Sequence, residues 1–241
     1  MKALILAAGI GKRLKANVPK ILLKIGNKSL LERHYDNLLS LGVKKIGIVV
    51  GYKSQYLTKY IEEIDKKKKI NIFRNPKYKL GSIISLISAS NFFNQSGELI
   101  LMDGDVLYDK KILKKLINSK KKDCLLIDKE FELGEEPVKV CIKNNKIYDF
   151  GKNVNDDFDF QGESVGFFKF SKKSSIKLLN ESKKIMRNNT KAMYEDSIQK
   201  IIKEKRILMN FENITNLPWI EIDFKKDLIL AKKKILKKIN E

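Results

Sequence analysis

The sequence predicts an α/β fold built on a mainly parallel sheet, and three observations predict it. Apolar runs of strand length recur at 3–7, 44–50, 70–74 and 99–102. Amphipathic stretches of roughly a dozen residues separate them, as right-handed crossovers between parallel strands require. The runs end in small or acidic residues (Ala7-Ala8-Gly9, Gly51-Tyr52, Asp103-Gly104-Asp105), at the edge where open parallel sheets collect ligands.

The first strand stops at Ala8, and Gly9-Ile10-Gly11 follows, with Lys12, Arg13 and Lys20 close behind. Glycine lets backbone N–H groups approach an anion closely, so residues 6–13 read as a strand feeding a phosphate loop. Arg13 and Lys20 add charge that amides alone lack. The loop has neither the Gly-Lys-Ser/Thr of a Walker motif nor the third glycine of a dinucleotide fingerprint. An extended segment (21–25) and a turn (26–28) lead to a helix over 29–41 that ends at Gly42. His34, the only histidine, reads as a partly exposed residue of that helix. After the second strand come a helix over 53–64 and a solvated lysine turn at 66–69.

The third strand leads to Gly81-Ser82 and an apolar helix over 83–92. Ser82 is a natural N-cap, and a helix N-terminus suits anions or base edges. The fourth strand runs into Asp103-Gly104-Asp105. Ending a buried strand in carboxylates is costly unless a cation balances them. Asp103 and Asp109 read as supporting or capping groups.

The second half changes rhythm. Short runs at 123–128, 138–143, 146–150 and 164–170, with turns such as Asn144-Asn145, predict added antiparallel strands. Helices follow over 172–185 and 194–202, and 217–224 precedes a lysine-rich helix. The chain therefore reads as a single domain, 1–241. The change of rhythm divides it into 1–122 and 123–241, the second part carrying a small antiparallel lobe. Lys139, Lys152, Glu163, Tyr194, Glu195, Asp196 and Trp219 are the charged and aromatic candidates of that second part, and their carboxylates and aromatics can close round an ammonium group by charge and cation–π attraction.

With 241 residues, 43% of them apolar, the chain can bury a sizeable core. The net charge of +21 comes mostly from lysine spread through helices and ends. A nucleic-acid reader clusters arginine and aromatics on one face, so the lysines read as solvated faces with some capacity to steer polyanionic substrates. Cys124 and Cys141 lie in apolar runs and read as buried free thiols. No run suits a signal peptide or a bilayer span, which predicts a cytoplasmic protein without membrane insertion.

Leu6-Ala7-Ala8-Gly9-x-Gly11-x-Arg13-Leu14, followed by Pro19-Lys20, resembles the signature of nucleotidyltransferases that join a nucleoside triphosphate to a phosphorylated small molecule. Four further stretches are similar to cytidylyltransferases acting on phosphocholine, 2-aminoethylphosphonate or inositol phosphate: 136–140, Gly162 to Phe168, Tyr194-Glu195-Asp196, and Pro218 to Phe224. The resemblance implies a Rossmann-like three-layer α/β/α sandwich of the GT-A-like type. It also implies attack of an acceptor phosphate or phosphonate oxygen on the α-phosphorus of CTP, with Mg²⁺ as cofactor. By that register Asp105 and Asp223 hold the metal, and Gly9, Gly11 and neighbouring amides wrap the triphosphate. Arg13 meets the leaving pyrophosphate, Lys20 sits at the α-phosphate and the acceptor, and Gly81, Ser82 and Asp103 contact the nucleotide. The resemblance thus implies a nucleotide-binding half over 1–122 and an acceptor-binding half over 123–241, with Lys139, Lys152, Glu163, Tyr194, Glu195, Asp196 and Trp219 on the acceptor side. A sugar-1-phosphate nucleotidyltransferase using UTP or dTTP stays open, as does the oligomeric state. A basic nucleic-acid-binding protein leaves the glycine loop and both acidic motifs unexplained.

Overall fold

The computed structural model describes residues 1–14, 17–131, 137–154 and 157–239. In chain order the elements are β1 (Lys2–Ala7), β2 (Lys24–Ile25), β3 (Lys28–Ser29), α1 (Leu30–Ser40), β4 (Lys45–Val50), α2 (Ser54–Ile64), β5 (Ile70–Arg74), α3 (Ser82–Ser88), α4 (Ser90–Asn94), β6 (Leu99–Asp103), β7 (Val106–Tyr108) and α5 (Lys110–Asn118). The second half adds β8 (Cys124–Asp128), β9 (Lys139–Lys143), β10 (Lys146–Gly151), β11 (Phe160–Phe170), α6 (Lys172–Asn188), α7 (Tyr194–Lys203), β12 (Asn210–Asn213), β13 (Trp219–Glu221) and α8 (Lys225–Leu230).

Strands β5, β4, β1 and β6 lie side by side and parallel, the order of a doubly wound sheet. Beside β6 the sheet turns antiparallel through β11, which pairs with β8 and β9, while β9 carries β10 at the edge. The predicted nucleotide and acceptor halves thus share one sheet. Alternation along β1 sorts its side chains to two faces. Ala3 and Ile5 enter a core with α1, α2 and α5, through Leu31, Leu38, Leu57, Ile61 and Leu113. Leu4 enters a second core with α3, α4, α6 and α7, through Leu86, Phe92, Leu178 and Ile198. This is the predicted three-layer α/β/α sandwich with a mainly parallel sheet.

Four expectations change. His34 is fully buried, because α1 is covered on that side by Tyr108 and Phe167 as well as by the sheet. The helix over 83–92 breaks at Ala89 into α3 and α4. The segment 21–25 opens with a 3-10 turn at Lys20–Leu22 before the short β2–β3 ribbon. Ser82 does not cap its own helix, where Gly81 holds the N-cap position; it accepts the amide of Tyr194 and so serves the first residue of α7. Of the stretch 136–140, Glu136 lies outside the described residues. Cys124 and Cys141 are buried free thiols. Among the described residues no helix is long and apolar enough to cross a membrane.

Candidate active site

The C-terminal ends of β1 and β6 open onto a cavity of about 1150 Å³, at the point where strand order reverses. Two chemically different ends can be distinguished within it.

At one end lie the glycine loop and its cations. Leu6, Ala8, Gly9, Arg13 and Lys20 line the cavity. Gly11 takes a positive φ of +64°, and a Cβ there would stand 2.9 Å from the aliphatic stem of Lys20. The loop therefore needs glycine to let Lys20 fold back beneath it. Lys20 Nζ donates to Asp105 Oδ2 at 2.8 Å and also to Asp223. Burial disfavours the Lys20 ammonium, but Asp105 and Asp223 outweigh burial and keep it firmly protonated. Arg13 donates to Asp223 Oδ2 at 2.8 Å and lies over the Phe224 ring, 4.8 Å from its centroid.

Asp105 and Asp223 are joined by a carboxylate that sequence reading missed. Asp105, Glu221 and Asp223 each bring an oxygen within 4.8 Å of the others. A small antiparallel ribbon arranges them: β7 pairs with β13, setting Val106 opposite Glu221, and the Ile222 amide donates to the Asp105 carbonyl. The signal was present in the alternation Trp219-Ile220-Glu221-Ile222-Asp223, which puts Glu221 and Asp223 on one face of an extended segment. Desolvation by the surrounding walls raises the Glu221 carboxyl to about 8, and the Asp105 and Asp223 charges add to the shift, although the residue keeps a solvent-facing side. Three hard oxygen donors crowded in this way suit a divalent cation of the Mg²⁺ type. His34 supports the ribbon from below. Its Nε2 lies 3.3 Å from the Gly104 carbonyl, which can only accept, so that nitrogen donates and Nδ1 receives the Tyr108 hydroxyl at 3.4 Å. Burial lowers His34 to about 4, so the ring stays neutral.

The other end is rich in carboxylates. Asp103, Glu163 and Glu195 face the cavity with Tyr194, Trp219 and Ser82. Burial, with Glu195, Asp105 and Glu221 adding repulsion, lifts Asp103 well above the usual carboxylate range; the Tyr194 hydroxyl donates to it at 2.7 Å. Burial likewise pushes Glu163 up to about 7, helped by Asp128, and Glu195 up to about 7. Trp219 is fixed by its indole N–H, 2.8 Å from Asp128 Oδ2.

Of the remaining expected residues, Lys152 lines the cavity, whereas Ala7, Gly11, Lys12, Gly81, Lys139 and Asp196 do not. Asp196 accepts the Met193 amide and caps α7. Gly81 has a packing role: a Cβ there would meet the Ala192 carbonyl oxygen at 1.9 Å, and the Gly81 and Ile83 amides donate to the carbonyls of Thr190 and Ala192. That close approach seats the start of α7 against α3 and thereby positions Tyr194 and Glu195.

Comparison with known proteins sets the chain among nucleotidyltransferases. The chain is 27% identical over 251 aligned residues to the CTP:phosphoglutamine cytidylyltransferase of Campylobacter jejuni, covering 95% of this chain and 98% of that one. It is 28% identical to the bifunctional IPC transferase and DIPP synthase of Aquifex aeolicus, covering 98% of this chain and 52% of that one, so it spans about half that relative's length. The solved structure of the inositol-1-phosphate CTP transferase from T. maritima superposes with a TM-score of 0.78 at 23% identity, over 100% of this chain and 98% of that one, and shares the fold. The model of the MobA-like NTP transferase domain matches residues 3–149. The chain is thus an enzyme of the nucleotidyltransferase class and belongs to the MobA-like NTP transferase family.

Proposed function

We propose that this enzyme transfers the cytidylyl group of CTP to the phosphate of a small acceptor bearing an ammonium group, with release of pyrophosphate and with Mg²⁺ as cofactor. The observation that carries the reading is Lys20, held between Asp105 and Asp223 beside the glycine loop. Transfer at a phosphorus centre needs charge neutralisation and in-line positioning more than acid–base chemistry, and this end supplies both. The name of the Campylobacter relative supports a cytidylyl donor and a phosphorylated acceptor.

In this reading the amides around Gly9 and Gly11 wrap the triphosphate, Arg13 meets the leaving pyrophosphate, and Lys20 draws together the α-phosphate and the acceptor phosphate. Asp105, Glu221 and Asp223 would hold Mg²⁺, which neutralises phosphate charge when bound. Ser82, which lines the cavity beside Glu195, would contact the base. Glu163 and Glu195 turn carboxyl groups toward the acceptor, with Asp103 held by the Tyr194 hydroxyl close by, and the Trp219 ring offers a face for a cation.

Pyrophosphate release with Mg²⁺ tests the reading across CTP, UTP, dTTP, ATP and GTP, each crossed with phosphoethanolamine, phosphocholine, 2-aminoethylphosphonate, inositol phosphate and sugar 1-phosphates. Release confined to CTP with ammonium-bearing acceptors is the expected result. Release with UTP or dTTP and a sugar phosphate would replace the proposal by sugar activation.

A further inference from the structure

The helix that follows Asp223 has a face that the transfer reading leaves unused. α8 begins two residues after Asp223 and continues through a π turn (Ala231–Ile235) and a 3-10 turn (Leu236–Lys238). Its apolar side is anchored. Leu228, Ala231, Ile235 and Leu236 pack on the core shared with α1 and α5, and a Cβ on Gly26 would stand 3.0 Å from the Leu236 side chain. Lys226, Ile229, Leu230, Lys233 and Lys234 recur at the spacing of one helix face, and all five line the cavity. Lys225 and Lys232, on the same helix, do not line it.

Lys226 shares an aromatic ring with the arginine of the glycine loop. The Arg13 guanidinium lies 4.8 Å from the centroid of Phe224, and Lys226 Nζ lies 5.7 Å from the same centroid. Asp227, the only acid between residues 225 and 238, does not separate them by pairing with Lys226: its Oδ2 accepts the amides of Asp223 and Phe224. Among the described residues Lys226, Lys233 and Lys234 have no carboxylate partner. Arg13 and Lys20, by contrast, are already held by Asp105 and Asp223. Their charge is largely balanced before a nucleotide arrives. A nucleoside triphosphate brings several further negative charges, and a divalent cation offsets only part of them. The unpaired cations that face the cavity on α8 and its continuation can supply the rest, and an anion seated beside Phe224 relieves the repulsion between Lys226 and Arg13.

We propose that Lys226, with Lys233 and Lys234 two turns further along, binds the β- and γ-phosphates of the nucleotide, so that the leaving pyrophosphate is held between Arg13 and the C-terminal helix. The inference rests on the transferase reading above and adds positioning residues for its leaving group. A solvated lysine face gives no reason for Lys226 to share a ring with Arg13. Long-range steering alone would draw equally on Lys225 and Lys232.

The test uses that last difference. Calorimetry on the full chain with Mg²⁺ measures the affinities for CTP, CMP and inorganic pyrophosphate in the wild type, in Lys226→Met/Lys233→Met, and in Lys225→Met/Lys232→Met, which removes the same charge from the same helix outside the cavity. In the first variant the ratio of CTP to CMP affinity should fall roughly ten- to a hundredfold, the worth of one charge-assisted contact, and pyrophosphate affinity should fall with it. CMP affinity should stay, and the second variant should keep the wild-type ratio. In steady-state turnover the first variant should raise the KM for CTP and leave the acceptor KM in place. An unchanged ratio in the first variant, or equal losses in both, overturns the inference and leaves the cytidylyl-transfer reading standing. A rise confined to the acceptor KM overturns it too, by moving the lysines to the acceptor phosphate. Absence of pyrophosphate release from every nucleotide and acceptor overturns the transferase reading, and the CTP-to-CMP ratio then still decides whether the helix holds the triphosphate.

Discussion

The two ends of the cavity balance charge in opposite ways. At the glycine-loop end, Lys20 and Arg13 already pair with Asp105 and Asp223, so cations and carboxylates hold one another in place. At the carboxylate-rich end, Glu163 and Glu195 face the cavity with their pKa values raised to about 7 by burial, and Asp103 is held by a tyrosine rather than a cation. The first end is preorganised for chemistry, where the cost of reorientation during the reaction must be small. The second stores unbalanced charge that a substrate relieves, which favours selection over speed. Changes at the first end should therefore lower turnover, and changes at the second should raise the Michaelis constant.

The largest effect should come from Asp105→Asn or Lys20→Met. Each should lower kcat by roughly 10²- to 10⁴-fold while the circular dichroism spectrum and oligomeric behaviour stay as in the wild type. Near-normal turnover in either variant would remove that residue from the mechanism and dissolve the contrast.

Next in size is Gly81→Ala. The added methyl overlaps the Ala192 carbonyl, and separating α3 from the start of α7 should cost about 1–3 kcal/mol, read as a lower thermal midpoint. Acceptor KM should rise with it, because Tyr194 and Glu195 ride on that contact. An unchanged midpoint would show that the two helices are not seated on one another as described.

Glu195→Gln is smaller and diagnostic. It should raise the KM for an ammonium-bearing acceptor about tenfold and leave the KM for CTP in place. A loss confined to kcat would mean that the carboxylate serves the chemistry instead.

The smallest effect is a pH trend. Glu163 and Glu195 have folded values of about 7, raised above an ordinary glutamate, so their ionised forms burden the fold. Their contribution to stability is present in full below the ordinary glutamate value and is lost as pH rises through about 7. Binding has the opposite sign, since an ammonium prefers the ionised pair. Between pH 6 and 8 the affinity for phosphoethanolamine should rise relative to glycerol phosphate, and this relative gain should shrink in Glu163→Gln. A flat profile would mean that neither carboxylate meets the acceptor.

The same division explains what could be read from the sequence. The parallel core and the glycine loop were legible because their signals are local: an apolar run, two glycines, Arg13 and Lys20 within a short stretch. Asp105 and Asp223 were legible through resemblance. Glu221 was not, because its role depends on the β7–β13 ribbon, two three-residue strands that no periodicity announces. His34 was misread because a polar residue on an amphipathic helix ordinarily faces water, and only the tertiary fold shows Tyr108 and Phe167 covering it. That Lys139 stands opposite Glu163 is a property of two strands, β9 and β11, far apart in the chain. Sequence shows the residues but not that they face each other.

The ion pair between Arg13 and Asp223 joins positions 210 residues apart. The glycine loop leaves the ribosome long before Glu221 and Asp223 do. On the reading proposed above, a chain stopped short of residue 221 carries the loop and its cations with Asp105 alone of the three carboxylates. Catalytic competence would then report that synthesis has passed the β7–β13 ribbon.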